Sequence, residues 1–230
     1  MTITPIYSIP ELSNMLNSKD KADRGAAARR IWTDWDSYNK NKKFLKLEKR
    51  LLILYRTEPL GRNSWHYMLS LGLMNSRQAI DDIVDNLTNS KDENIRGFAA
   101  DALGRYSVGQ LPNEVIELLW DLAESDASLV VRVNSIRASS NQYKLTKNES
   151  VSKRLLNLMK SQSHSAVQTT IIQQIGEIGS LVLVPELIHI MITRRIEIDK
   201  KIAGIALDNI AKANNFSDRQ SLINLFKDQL

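Results

Sequence analysis

The chain has 230 residues and a net charge of +5, with 43% hydrophobic and 25% charged residues, the balance of a folded protein rather than a disordered one. It contains no cysteine, which excludes disulfides, thiolate nucleophiles and cysteine metal ligands together. Only 9 glycines and 5 prolines punctuate it, so helices joined by short turns are expected.

The N-terminal stretch MTITPIYSIPELSN has no basic start followed by an apolar run, and no signal peptide is expected. Ser8 and Glu11 stand at capping-box spacing, with Pro10 in the first turn, and open the first helix. A phrase then begins at Arg24 and returns about every 36 residues, a period that signifies stacked supersecondary units. It consists of a basic residue, a small or apolar residue three positions on, and an aliphatic residue at seven. It reads Arg24, Ala27, Ile31; Arg62, Trp65, Leu69; Arg96, Ala99, Leu103; Arg132, Ser135, Ser139; Gln168, Ile171, Ile175; and Lys200, Ala203, Leu207. The small residue lets neighbouring helices approach and the aliphatic one fills the space between layers. A cation at a helix start opposes the helix dipole, so each anchor is expected to be held by an acidic or carbonyl partner in an adjacent unit.

Each phrase belongs to the second of two helices. Ile80, Ile83, Val84 and Leu87 make one apolar stripe, Ile95, Phe98, Ala99, Ala102, Leu103 and Tyr106 another, and the polar run 88–92 turns between them. The same division gives units at 8–38, 43–73, 76–107, 112–142, 149–179 and 182–213, with a capping helix at 217–229. The expectation is one continuous all-α domain over 1–230, an α-solenoid of about six antiparallel helix pairs. The most apolar stretch, Ser180 to Ile192, is broken by Pro185, Glu186 and His189 and is too short to span a bilayer, so a soluble, cytoplasmic protein is expected.

The string Asn94-Ile95-Arg96-Gly97-Phe98-Ala99-Ala100-Asp101-Ala102-Leu103-Gly104 resembles the second helix of a HEAT-like repeat, in particular the subtype of phycobilisome-lyase-like proteins. Residues 166–176 and 199–208 echo it, and the echo is weakest around Arg62, where the helix carries Trp65, His66 and Tyr67. The resemblance implies a right-handed solenoid. It leaves the function open, because proteins similar in this way are adaptors, lyases or their chaperones, nucleic-acid binders and inhibitors.

Sites for chemistry are sparse. His66, His164 and His189 never form a helical metal pair, and neither a metal nor another cofactor is expected. Gly176-Glu177-Ile178-Gly179 ends a helix rather than joining a strand to one. Asp81, Asp82 and Asp85 read as a solvated helix face. The basic run 40–50 reads as lysine stems over apolar surface. Trp32, Trp35 and Asp36 resemble the tryptophans and aspartate with which HEAT-like DNA glycosylases hold a damaged nucleotide, although a spacing of three also makes the two indoles neighbours on one helix.

The inner curve of such an array is lined by its second helices. Five positions past each anchor stand Arg29, Tyr67, Asp101, Arg137, Gln173 and Ile205; nine past stand Thr33, Leu71, Arg105, Asn141, Glu177 and Asn209. A phosphate-tracking surface would show a continuous Lys and Arg stripe, whereas this mixture suits a protein surface. Arg29, Trp32, Tyr67, Asp101, Arg105, Arg137, Asn141, Gln173 and Glu177 are therefore the expected partner-binding residues. The function expected is non-enzymatic: a monomer that binds another protein on its concave face, as adaptor, lyase-type chaperone or bacterial immunity protein. The second reading is a nucleic-acid-binding HEAT-like protein with glycosylase-like chemistry.

Overall fold

The computed structural model describes residues 7–38, 46–61, 63–193 and 197–227. Arg62 and residues 40–45 of the basic run lie outside them. The described residues are helical throughout, with no strand. The chain falls into two compact units, Met1–Pro112 and Asn113–Leu230.

The first unit holds α1 (Ile9–Leu16), α2 (Lys21–Thr33), the short α3 (Trp35–Tyr38), α4 (Lys46–Thr57), α5 (Ser64–Leu73), α6 (Ile80–Asn89) and α7 (Glu93–Gly104). They pair as α1 with α2, α4 with α5 and α6 with α7, and the second helices stack α2 on α5 on α7. The second unit holds α8 (Asn113–Ser125), α9 (Leu129–Asn141), α10 (Glu149–Ser161), α11 (Ser165–Ile178), α12 (Val184–Thr193), α13 (Glu197–Ala213) and α14 (Arg219–Leu225). Its pairs are α8 with α9, α10 with α11 and α12 with α13, with α9, α11 and α13 stacked and α14 packed on α13.

Local chemistry sets these boundaries. At α1 the Ser8 N–H donates to Glu11 Oε2 at 2.6 Å while Glu11 N–H reaches Ser8 Oγ, so the capping box is complete. Asp20, Asp92 and His164 each accept a backbone N–H at the start of α2, α7 and α11. Outside α5, the repeated phrase is the core of each second helix. Its third residues Ala27, Ala99, Ser135, Ile171 and Ala203 are all fully buried, as are its seventh residues Ile31, Leu103, Ser139 and Leu207.

The anchors differ from expectation in an informative way. Arg24 donates to Ser18 O (2.7 Å), Arg96 to Ser90 O (3.1 Å) and Gln168 to Gln162 O (2.7 Å), in each case the carbonyl six residues upstream. The anchor sits one turn inside its helix and folds back over the N-cap, tying the turn between paired helices to the second helix of the same unit. The cost of opposing the dipole is offset by satisfying an orphan carbonyl. Partners from the following unit are added at Arg24, whose guanidinium pairs with Glu58 at 2.5 Å, and at Arg132, which reaches Gln162 Oε1 at 2.7 Å. Both side chains of the Arg24–Glu58 pair are only 11% exposed. Arg24→Met keeps the stem and strands both acceptors, so urea denaturation should show a loss of about 2 kcal/mol with unchanged helicity.

No described helix is long and apolar enough to cross a membrane.

Candidate functional site

In the first unit, α2, α5 and α7 bring Trp32, His66, Trp65, Phe98, Asp101 and Arg105 into one connected group. Trp32 Nε1–H donates to His66 Nδ1 at 3.0 Å, which places the proton of a neutral His66 on Nε2. The two rings lie nearly parallel, 21° apart with centroids at 6.1 Å. His66 also stacks on Trp65 at 4.5 Å, and Trp65 packs on Phe98 at 4.2 Å. The Arg105 guanidinium lies over the Trp32 ring, 5.4 Å from its centroid, and donates to Asp101 Oδ2 at 3.2 Å.

This arrangement fixes the group before anything binds. Arg105 is held between an aromatic face and a carboxylate, 29% of its side chain remaining exposed and 37% of that of Asp101. Arg29 stands exposed on α2, one turn before Trp32. Trp65 Nε1 and Arg105 Nε are buried with no hydrogen-bond partner. The cluster therefore holds donors that the fold itself does not use.

Tyr67 is a correction. Expected on the surface, it is fully buried on the opposite side of α5, beside Arg24 and Glu58. The reason is register. Gly72 on α5 meets Ala102 on α7 just as Gly176 on α11 meets Ala206 on α13, and Gly176 lies eight residues past its anchor. The equivalent anchor of α5 is then Ser64, two residues beyond Arg62. Two residues are about 200° on a helix. Tyr67 and Leu71 thus occupy the buried third and seventh places, and Trp65 is released from the core place to the half-buried edge.

Trp32 and Trp35 do not share a helix. Asp34 caps the end of α2 and α3 starts at Trp35, so the two indoles are separated by a break, and Asp36 is exposed. The N–H of Trp32 and its stacked faces are engaged by His66 and Arg105, which is the signature of a packed cluster rather than an open base-holding slot. Asp82 is ion-paired to Arg56 at 2.6 Å, and His164 caps α11, so neither is a free chemical group.

The other expected residues lie in the second unit. Arg137 and Gln173 are exposed on α9 and α11, while Asn141 and Glu177 are half-buried near the ends of the same helices. Glu177 pairs with Lys144 at 3.0 Å.

Comparison with known proteins agrees with the helix pairs. Residues 48–140 match the family model of HEAT repeats. The repeats over those residues are HEAT-like. Among solved structures, the chain is similar to one in the complex of CpcE and CpcF of phycocyanin lyase from Nostoc sp. PCC7120, with a TM-score of 0.54 and 16% identity over 99% of this chain and 97% of that one. At that identity the likeness is one of fold, an all-α array of helix pairs along the chain. No curated protein matches the chain.

Proposed function

We propose that this HEAT-like chain is a binding protein rather than an enzyme, and that it engages another protein through the surface formed by Arg29, Trp32, Asp101 and Arg105. The observation that carries the reading is the Arg105 guanidinium held over Trp32 and against Asp101. Tryptophan and arginine dominate binding energy at protein interfaces, and side chains already immobilised lose less freedom on association. The alternation of cation, aromatic and anion favours a protein with complementary charges over a phosphate backbone. Arg137, Asn141, Gln173 and Glu177 supply a second mixed surface on α9 and α11. The CpcE–CpcF structure is a complex of two proteins, an association of the kind proposed here.

The test is site-specific photocrosslinking from residue 29 in native cells, combined with Arg105→Glu and Arg137→Glu. We expect a protein adduct, reduced about tenfold or more by Arg105→Glu, with helicity unchanged and melting within a few degrees of the parent. Ten-fold corresponds to about 1.4 kcal/mol, within the range of a single interface arginine. Unfolding of Arg105→Glu would assign Arg105 to stability instead, and an unaffected adduct would remove the surface from the interface. Adaptor, lyase-type chaperone and immunity protein differ in what the adduct contains: only the last requires a one-to-one complex that silences a toxin. Salt-steep binding to DNA or RNA with no protein adduct would favour the nucleic-acid reading.

A further inference from the structure

The turn between α9 and α10 holds Leu145 in an unusual state. Its φ is +58°, in the left-handed region that branched and bulky side chains avoid, and Lys147 two residues on has a φ of +57°. The turn is pinned by two backbone bonds to the end of α11, Leu145 N–H to Glu177 O at 3.0 Å and Lys147 N–H to Ile178 O at 3.1 Å. Those bonds satisfy carbonyls that α11 leaves open. They also hold the Leu145 side chain outward, 64% exposed, at the edge of a groove of about 420 Å³.

The far wall of that groove is the end of α13, which contributes Asn209, Lys212 and Ala213, with Asn209 and Lys212 exposed. The charges do not balance. The Glu177 carboxylate is taken by Lys144, and Lys212 makes no ion pair among the described residues. The groove is thus apolar at two points, Leu145 and Ala213, with an uncompensated cation beside them.

We infer that this groove takes an acidic, aliphatic segment of a partner protein: one aliphatic side chain seated between Leu145 and Ala213, with flanking carboxylates meeting Lys212 and Asn209. The inference rests on the protein-binding reading above and gives it a second contact with a defined chemistry. A nucleic-acid phosphate would use the lysine and leave both aliphatic side chains in water.

The experiment measures fluorescence anisotropy of the full chain with three labelled ten-residue peptides. One has a central leucine flanked by two glutamates on each side, the second has serine in place of the leucine, and the third has lysines in place of the glutamates. The acidic leucine peptide is expected to bind, with the serine peptide at least tenfold weaker and the basic peptide not bound. Lys212→Glu should weaken the acidic peptide at least tenfold and admit the basic one, and Leu145→Ser should erase the preference for leucine. Both positions are exposed, so circular dichroism should be unchanged, and the gain by the basic peptide cannot come from unfolding. Equal affinity across the three peptides, no binding of the acidic leucine peptide, or an unchanged Kd in Lys212→Glu would overturn the inference. Displacement of the peptide by a thymidine oligonucleotide of equal charge would reassign the groove to phosphates. Arg105→Glu should leave peptide affinity intact. A crosslinked partner lost with Arg105→Glu but indifferent to Lys212→Glu therefore sinks the groove alone, whereas no partner adduct at all sinks the wider reading.

Discussion

Gly72→Val and Gly176→Val should each destabilise the protein by about 3 kcal/mol, the upper part of the range for overpacking a close-packed interior. A Cβ built on Gly72 falls 2.2 Å from the Ala102 carbonyl oxygen, and one on Gly176 falls 2.6 Å from Ala206 Cα. In both cases the obstacle is backbone, which cannot rotate away as a side-chain tip can. The two stacked helices must separate, and separation uncovers buried neighbours such as Leu103 and Leu207. Even alanine should be costly at both places. A control lies at Gly61, where an added Cβ meets nothing nearer than Pro59 O at 3.8 Å; Gly61→Ala should change stability by no more than about 0.5 kcal/mol. Because Gly72 and Gly176 belong to different compact units, the double variant should be additive to within about 0.5 kcal/mol. Urea denaturation at neutral pH reads all four. Wild-type stability for either variant would mean that the close contact between second helices does not organise the repeat.

The same glycines explain how much of the architecture could be read from the chain. Wherever the phrase began with a residue that folds back to the carbonyl six positions upstream, as at Arg24, Arg96 and Gln168, pattern and structure coincide to the residue. At α5 the arginine at 62 resembled an anchor by type alone. The true register, two residues later, has a serine there, and nothing short of the Gly72–Ala102 contact distinguishes them. That slip hid Tyr67 in the core and placed Trp65 there wrongly. The Trp32–His66–Arg105 group was visible only as separate residues, because its contacts join positions 34 and more apart on three helices. The break in the phrase at Trp65 was the one local signal. The Leu145 groove left none, since a left-handed leucine is imposed by bonds to α11, more than 30 residues away.

Above pH 10 the protein should lose stability steeply, through phenols rather than carboxylates. Tyr55, Tyr67 and Tyr106 are buried, and burial is the first cause that raises all three above their ordinary value of 10.0. Tyr67, with the Glu58 carboxylate beside it, is pushed up to about 12 despite the opposing effect of Arg24. Tyr55 donates its O–H to Asp82 O at 3.2 Å and Tyr106 to Ser76 O at 2.8 Å, bonds that a phenolate cannot make. In this window the folded chain keeps protons that the unfolded chain releases. The unfolded state then binds fewer protons, so stability is fully present below pH 10 and falls as pH rises through the folded value. Tyr67 alone should account for about 2 kcal/mol between pH 10 and 12. Tyr67→Phe should remove that share of the slope. At pH 7 it should cost about 1 kcal/mol, the net worth of the hydroxyl's contact with the Glu58 carboxylate. Absorbance at the phenolate band, followed beside circular dichroism, decides the matter. The three phenols should ionise only together with loss of helicity, and reversible ionisation near pH 10 in the folded chain would show that they are not sealed from water.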